Sequence, residues 1–227
     1  MHTILFDIDG TLIHSGGAGQ AGIERVLAEE FGVTAPTTGI STAGRTDRGI
    51  ARDLIRFHQL EESEATYERM LQAYLRILPL ELKAREGGTF PGIRELLNQL
   101  SQRRDVRLGL LTGNYREAAW QKLRHFELDH HFHFGGFGDD HADRDDVARL
   151  ALAAAQSHAT SQPINTSHLW VIGDTPADVQ CGRAIGARVI AVATGIHTRE
   201  DLEPTRPDHL FDDLRDVAAV LELWPEL

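Results

Sequence analysis

Short apolar runs of strand length recur along the chain, and stretches with helical spacing separate them. The runs are residues 3–6, 106–111, 169–172 and 188–192, with 209–211 a weaker edge candidate. Between them, Ile93, Leu96, Leu97 and Leu100 recur at i, i+3, i+4 and i+7 behind Pro91, a residue suited to a first helical turn. Further crossover helices are expected near 116–126, 146–157 and 177–185. Strands that alternate with helices predict an α/β fold built on a mostly parallel sheet.

About 75 residues after the first strand break this alternation, offering helical patterns and no strand. Ile23, Val26, Leu27 and Phe31 share one helical face, and Tyr67, Met70, Leu71, Tyr74, Leu75 and Leu78 form a longer one. Gly16, Gly17 and Gly19 precede this stretch and Gly87 and Gly88 follow it, where a hinge needs permissive backbone. The expected division is a core of residues 1–14 and 87–227 and an inserted helical domain of residues 15–86.

Charge narrows the function classes. Against 34 acidic side chains stand 23 basic ones, a formal charge of -11. A broad cationic surface for nucleic acid or anionic lipid is not expected. The single cysteine, Cys181, cannot form an intrachain disulfide. The chain runs directly into Ile4, Leu5 and Phe6, which read as a core strand and not a secretion signal, and no stretch reads as a membrane span. A cytoplasmic protein, monomer or homodimer, is expected.

Three strand candidates end in polar residues. Asp7-Ile8-Asp9-Gly10-Thr11 follows the first, Thr112-Gly113-Asn114 the second, and Gly173-Asp174-Thr175-Pro176-Ala177-Asp178 the third. In a parallel sheet these ends share one edge, where open α/β folds place their ligands. Asp7 and Asp9 repel each other, and burying both without a partner is costly. A hard cation resolves the conflict, because magnesium takes oxygen ligands, uses few carboxylates and keeps positions for water and phosphate. Asp174 can supply a further ligand. Any one of these aspartates alone could instead make a turn or cap a helix.

In this order the three segments resemble the signature of the haloacid dehalogenase superfamily, especially its phosphoglycolate phosphatase-like branch. The resemblance implies a Rossmann-like core with a helical cap inserted after the first motif. It also implies a magnesium-dependent phosphatase for a small phosphorylated metabolite, phosphoglycolate being one such compound. By the same resemblance Asp7 is the nucleophile and Asp9 the general acid and base. Thr112 is the phosphate-binding hydroxyl, with Gly10, Gly113 and Asn114 beside it. Asp7, the backbone carbonyl of Asp9, Asp174 and a supporting Asp178 hold Mg2+. A phosphomutase, or a regulatory protein that binds phosphate or metal without turnover, remains an alternative.

The resemblance calls for a lysine ahead of the last motif, often followed by proline, and no such pair occurs. Arg144 is the sole cation in residues 137–146, and it is assigned the role of contacting both Asp7 and phosphate. Lys122 competes for that role but reads more simply as a solvated helix-face lysine. His130, His131 and His133 fit no common ligand spacing and read as a solvent-facing connection. Within the inserted segment, Thr46 or Asp47 is a candidate helix cap, and Arg45 is a candidate contact for an anionic substrate.

Overall fold

Side chains on the central strands alternate between two apolar layers, the period of two that a covered sheet demands. The computed structural model describes residues 1–159 and 164–226. Its strands are β1 (His2–Phe6), β2 (Ile13–His14), β3 (Gly88–Thr89), β4 (Val106–Leu111), β5 (Gly135–Gly136), β6 (Leu169–Gly173), β7 (Arg188–Val192) and β8 (His209–Phe211). Its α-helices are α1 (Ala18–Phe31), α2 (Asp47–Phe57), α3 (Glu64–Ala84), α4 (Ile93–Ser101), α5 (Arg116–His125), α6 (Arg144–His158), α7 (Pro176–Ala184), α8 (Arg199–Leu202) and α9 (Val217–Leu221). Ile4, Phe6, Trp170, Ile172, Ile190 and Val192 enter one core. Leu5, Leu169, Val171, Val189 and Ala191 enter the other.

Six strands form one sheet in the order β5-β4-β1-β6-β7-β8, every neighbouring pair parallel. The fold is therefore α/β and Rossmann-like. β1 lies at the switch point, since the chain first builds outward through β4 and β5 and then returns to β6 on the other side. The carboxyl ends of β4, β1 and β6 thus lie side by side and carry Thr112, Asp7 and Asp174.

Two strand pairings escape the sequence patterns. β5 is two glycines with no β-branched residue, and the packing explains them: a Cβ on Gly135 would sit 2.8 Å from Leu110 Cβ, and one on Gly136 would overlap the Val147 carbonyl. β2 and β3 form an antiparallel pair of two residues each, too short for any periodicity. This small ribbon brackets the segment that carries α1, α2 and α3. Those helices contribute Val26, Leu27, Leu54, Met70, Ala73 and Leu78 to the first core, so their apolar faces are continuous with one face of the sheet. Among the described residues no helix is long and apolar enough to cross a membrane.

α3 continues through Pro79, which has no N–H to offer the Leu75 carbonyl one turn back. Gln121 on α5 donates its Nε2 to that carbonyl at 3.0 Å. The inserted helices are thereby tied to the helix that follows β4.

Candidate active site

β1 ends where its chain can no longer stay apolar, and Asp7 sits there, 6% exposed. Its backbone N–H donates to the Ile172 carbonyl of β6 at 2.9 Å, which fixes the side chain at the seam between the two strands. Asp174 leaves the end of β6, and Asp178 lies in the first turn of α7. Oxygens of Asp7, Asp174 and Asp178, all buried, lie within 4.8 Å of one another. Thr11 donates its hydroxyl to Asp174 Oδ1 at 3.0 Å. Asp178 and Thr175 form a capping box, the Thr175 hydroxyl donating to Asp178 Oδ2 at 2.7 Å.

Arg144 is the buried cation of this cluster. Its Nη2 donates to Asp178 Oδ1 and stands 3.6 Å from Asp7 Oδ1. The residue opens α6, two residues ahead of the helix expected near 146–157, because Asp143 caps the helix by accepting from the Asp145 N–H. One guanidinium against three carboxylates leaves a negative excess. Burial pushes Asp7 up to about 7, with Arg144 opposing and Asp178 and Asp9 adding to the rise. Burial, Asp178 and Asp7 likewise hold Asp174 well above the usual carboxylate range. This donor set, all oxygen and short of positive charge, fits a hard divalent cation.

Asp9 faces elsewhere. Its Oδ2 accepts from Lys122 Nζ at 2.5 Å and from Asn114 Nδ2 at 2.8 Å. Its carboxylate is not part of the cluster formed by Asp7, Asp174 and Asp178. Lys122 is not a solvated lysine: the residue is 4% exposed, with Nζ also 2.5 Å from Asn114 Oδ1. Although burial works against its charge, Asp9, Tyr74 and Asp47 outweigh that cost and raise its pKa. The helical spacing of residues 116–126 could not show this, because the face of α5 that carries Lys122 is covered by the inserted helices. Thr112, fully buried at the end of β4, accepts through Oγ1 from Asn114 Nδ2 at 2.8 Å and from the Asn114 backbone N–H at 3.3 Å.

Glycines let the loops converge. Gly10, at φ 87°, lies where a Cβ would overlap the Asp174 carboxylate. Gly195, in the turn after β7, approaches Asp174 just as closely, and the neighbouring Thr194 hydroxyl donates to the Gly10 carbonyl at 2.5 Å. Neither Thr194 nor Gly195 was picked out from sequence, although a Thr-Gly pair directly beyond a strand end was a visible signal.

The segment before α2 reaches the same loops. Thr46 caps α2 by accepting from the Gly49 N–H at 3.1 Å, the Asp47 N–H donates to the Gly113 carbonyl at 2.7 Å, and Asp47 Oδ2 accepts from the Tyr115 N–H at 2.8 Å. Burial pushes Asp47 up to about 6 against the pull of Lys122 and the Tyr115 N–H. Arg45 is already paired, its Nη2 lying 2.5 Å from Asp53 Oδ2 while Nη1 donates to the Ser41 carbonyl at 3.1 Å. Between these layers lies a cavity of about 250 Å³, lined by Asp7, Asp9, Gly10, Thr112, Gly113, Asn114, Lys122, Arg144 and Asp174 from the sheet side. Gln20, Ile23, Arg45, Asp47 and Tyr74 line it from the helical side. The histidines lie apart. His130 and His133 are exposed, but His131 is buried with Nδ1 2.7 Å from Ser101 Oγ, so the solvent-facing reading fails for that ring.

The chain has relatives among known proteins. A phosphoglycolate phosphatase of Synechococcus elongatus is 30% identical over 224 residues, spanning 98% of this chain and 99% of that protein. One from Pseudomonas syringae pv. tomato is 27% identical over 232 residues, spanning 99% and 81%. A hydrolase crystal structure from Pseudomonas syringae shares the fold with a TM-score of 0.73 at 20% identity, covering 99% of both chains. Residues 4–192 match the model of the haloacid dehalogenase-like hydrolases, a span that holds every strand-end acid described above, and the chain belongs to that family, in its phosphoglycolate phosphatase-like branch, as a phosphatase.

Proposed function

We propose that the chain is a magnesium-dependent phosphomonoesterase acting on a small phosphorylated metabolite through an aspartyl-phosphate on Asp7. The observation that carries the reading is the cluster of Asp7, Asp174, Asp178 and Arg144, of which Asp7, Asp174 and Arg144 line the cavity. Asp7, the Asp9 carbonyl and Asp174 would hold Mg2+, with Asp178 in support. When bound, the ion would neutralise phosphoryl oxygens and keep Asp7 ionised.

The chain's own residues supply the remaining steps. A carboxylate oxygen of Asp7 attacks phosphorus as the bond to the leaving oxygen breaks, and Asp9 gives that oxygen its proton. Asp9 then takes a proton from water, whose oxygen attacks phosphorus and releases phosphate with Asp7 restored as a carboxylate. Thr112 and Arg144 donate to phosphoryl oxygens throughout. Residues 15–86 act as the cap that excludes water during transfer, residues 1–14 and 87–227 as the core. The cavity of about 250 Å³ suits a phosphate ester of a few carbons, and the relatives named phosphoglycolate phosphatase support an acid of that size as substrate. Arg45 contributes less than its charge suggests, since Asp53 already satisfies it.

Phosphate release should be measured across a panel of small phosphate esters with Mg2+ and with excess chelator. Turnover is expected with Mg2+ alone, and Asp7→Asn should abolish it in a folded protein. Full activity in chelator, or near-normal release by Asp7→Asn, would sink the reading. Transfer of the phosphoryl group to a sugar in place of water would make the enzyme a mutase.

A further inference from the structure

Lys122 is buried and unused by the chemistry above, yet it touches Asp9 directly and Thr112 through Asn114, the two groups that must present a proton to the substrate. An ammonium can only donate, so the Asn114 atom 2.5 Å from Nζ is the amide oxygen. That orientation turns the Asn114 NH2 toward Asp9 Oδ2 and Thr112 Oγ1, each at 2.8 Å. The Asn114 backbone N–H reaches the same Thr112 oxygen at 3.3 Å. A threonine hydroxyl has two acceptor positions and one proton. With both acceptor positions taken by Asn114, the proton is the one function Thr112 has left for a ligand in the cavity it lines. The same logic holds for Asp9, whose Oδ2 accepts from both Lys122 and Asn114. Those two donors leave Oδ1 as the oxygen of Asp9 that they do not engage.

We propose that Lys122 is a positioning residue that, through Asn114, aims the Thr112 hydroxyl proton and the acidic oxygen of Asp9 at the phosphoryl group. The proposal rests on the phosphatase reading. Without the ammonium the Asn114 amide is free to turn over, its oxygen then facing Thr112. The hydroxyl would donate to that oxygen and be lost to phosphate, while Asp9 would lose both of its fixed donors.

The test compares the unaltered chain with Lys122→Met, Lys122→Arg, Thr112→Val and the Lys122→Met, Thr112→Val double variant, each shown folded by circular dichroism and melting. With Mg2+ present, two quantities are read: turnover of an alkyl phosphate and of p-nitrophenyl phosphate, and inorganic phosphate affinity by calorimetry. Lys122→Met should slow the alkyl ester on the order of 100-fold and the aryl ester roughly tenfold, because the aryl leaving group needs little protonation. Phosphate affinity should fall roughly tenfold, and Thr112→Val should add little to that loss in the Lys122→Met background. Lys122→Arg, which keeps a donor, should recover part of both.

Equal losses for the two esters, or fully multiplicative effects of the two substitutions on phosphate affinity, would overturn the proposal and leave Lys122 a structural residue. If Lys122→Met does not fold, Asn114→Asp decides the matter. It places an oxygen toward Thr112 whichever way the group turns, so phosphate affinity should fall as in Thr112→Val; unchanged affinity would refute the relay. Failure of the unaltered chain to release phosphate from any ester would instead defeat the phosphatase reading, and the affinity measurements would still judge Lys122.

Discussion

At the scale of single residues, the two buried cations have separate tasks, and only that of Lys122 was hidden in its local sequence. Arg144 offsets Asp178 and Asp7, while Lys122 serves Asp9 and Asn114. Removing one partner of a buried ion pair strands the other charges, so Arg144→Ala should destabilise the fold as well as the transition state. Its turnover is expected to fall by about 2 to 4 kcal/mol of activation free energy at saturating Mg2+, like the loss of other focused donors in a dry site. Arg144→Lys should keep most of the melting temperature and recover part of the rate, since charge survives while fork geometry is lost. Thermal melts and steady-state rates on the two variants check this, and an Arg144→Ala protein with normal turnover would exclude the assignment.

Among the elements, α5 does more than cross over between strands. Its Gln121 satisfies the α3 carbonyl that Pro79 orphans, and its next residue, Lys122, reaches Asp9. A double-mutant cycle with Pro79→Ala and Gln121→Leu should therefore show coupling. Alanine at 79 restores the helical N–H, so the cost of losing Gln121 should shrink by about 0.5 to 1.5 kcal/mol in that background. The coupling is the quantity to read, because Gln121 Oε1 is itself buried without a partner and its removal partly offsets the single-variant cost. Additive unfolding free energies from denaturant titrations would show that the two side chains act independently.

For the whole molecule, a cluster of buried acids at the sheet edge makes stability depend on pH and metal. Asp7 rises from an ordinary 3.8 to about 7 on folding, so between those values the folded chain holds a proton that the unfolded chain has lost. Its stabilising contribution is complete below pH 3.8 and disappears as pH rises through about 7. In chelator, Asp7→Asn should thus be more stable than the unaltered chain at pH 8, on the order of 2 kcal/mol, with the gap closing toward pH 4. Mg2+ should favour the unaltered chain at pH 8, because the ion supplies the missing charge. Melting curves at both pH values would expose a gap that is absent or of opposite sign. The apolar runs of β1, β4, β6 and β7, the helical spacing in α4 and the polar residues at three strand ends depend only on local pattern, and they determined the α/β class, the positions of those strands and the Asp7, Asp174 and Thr112 locations before any contact was known. β5 and the β2–β3 ribbon carry no pattern, because glycines set by close packing and pairs of two residues have no period to detect. The partners of Lys122, Arg45 and His131 were equally out of reach. A charged residue on a helix looks the same in sequence whether its face meets water or a neighbouring helix, and only the packing of α1, α2 and α3 over the strand ends decides which one it meets.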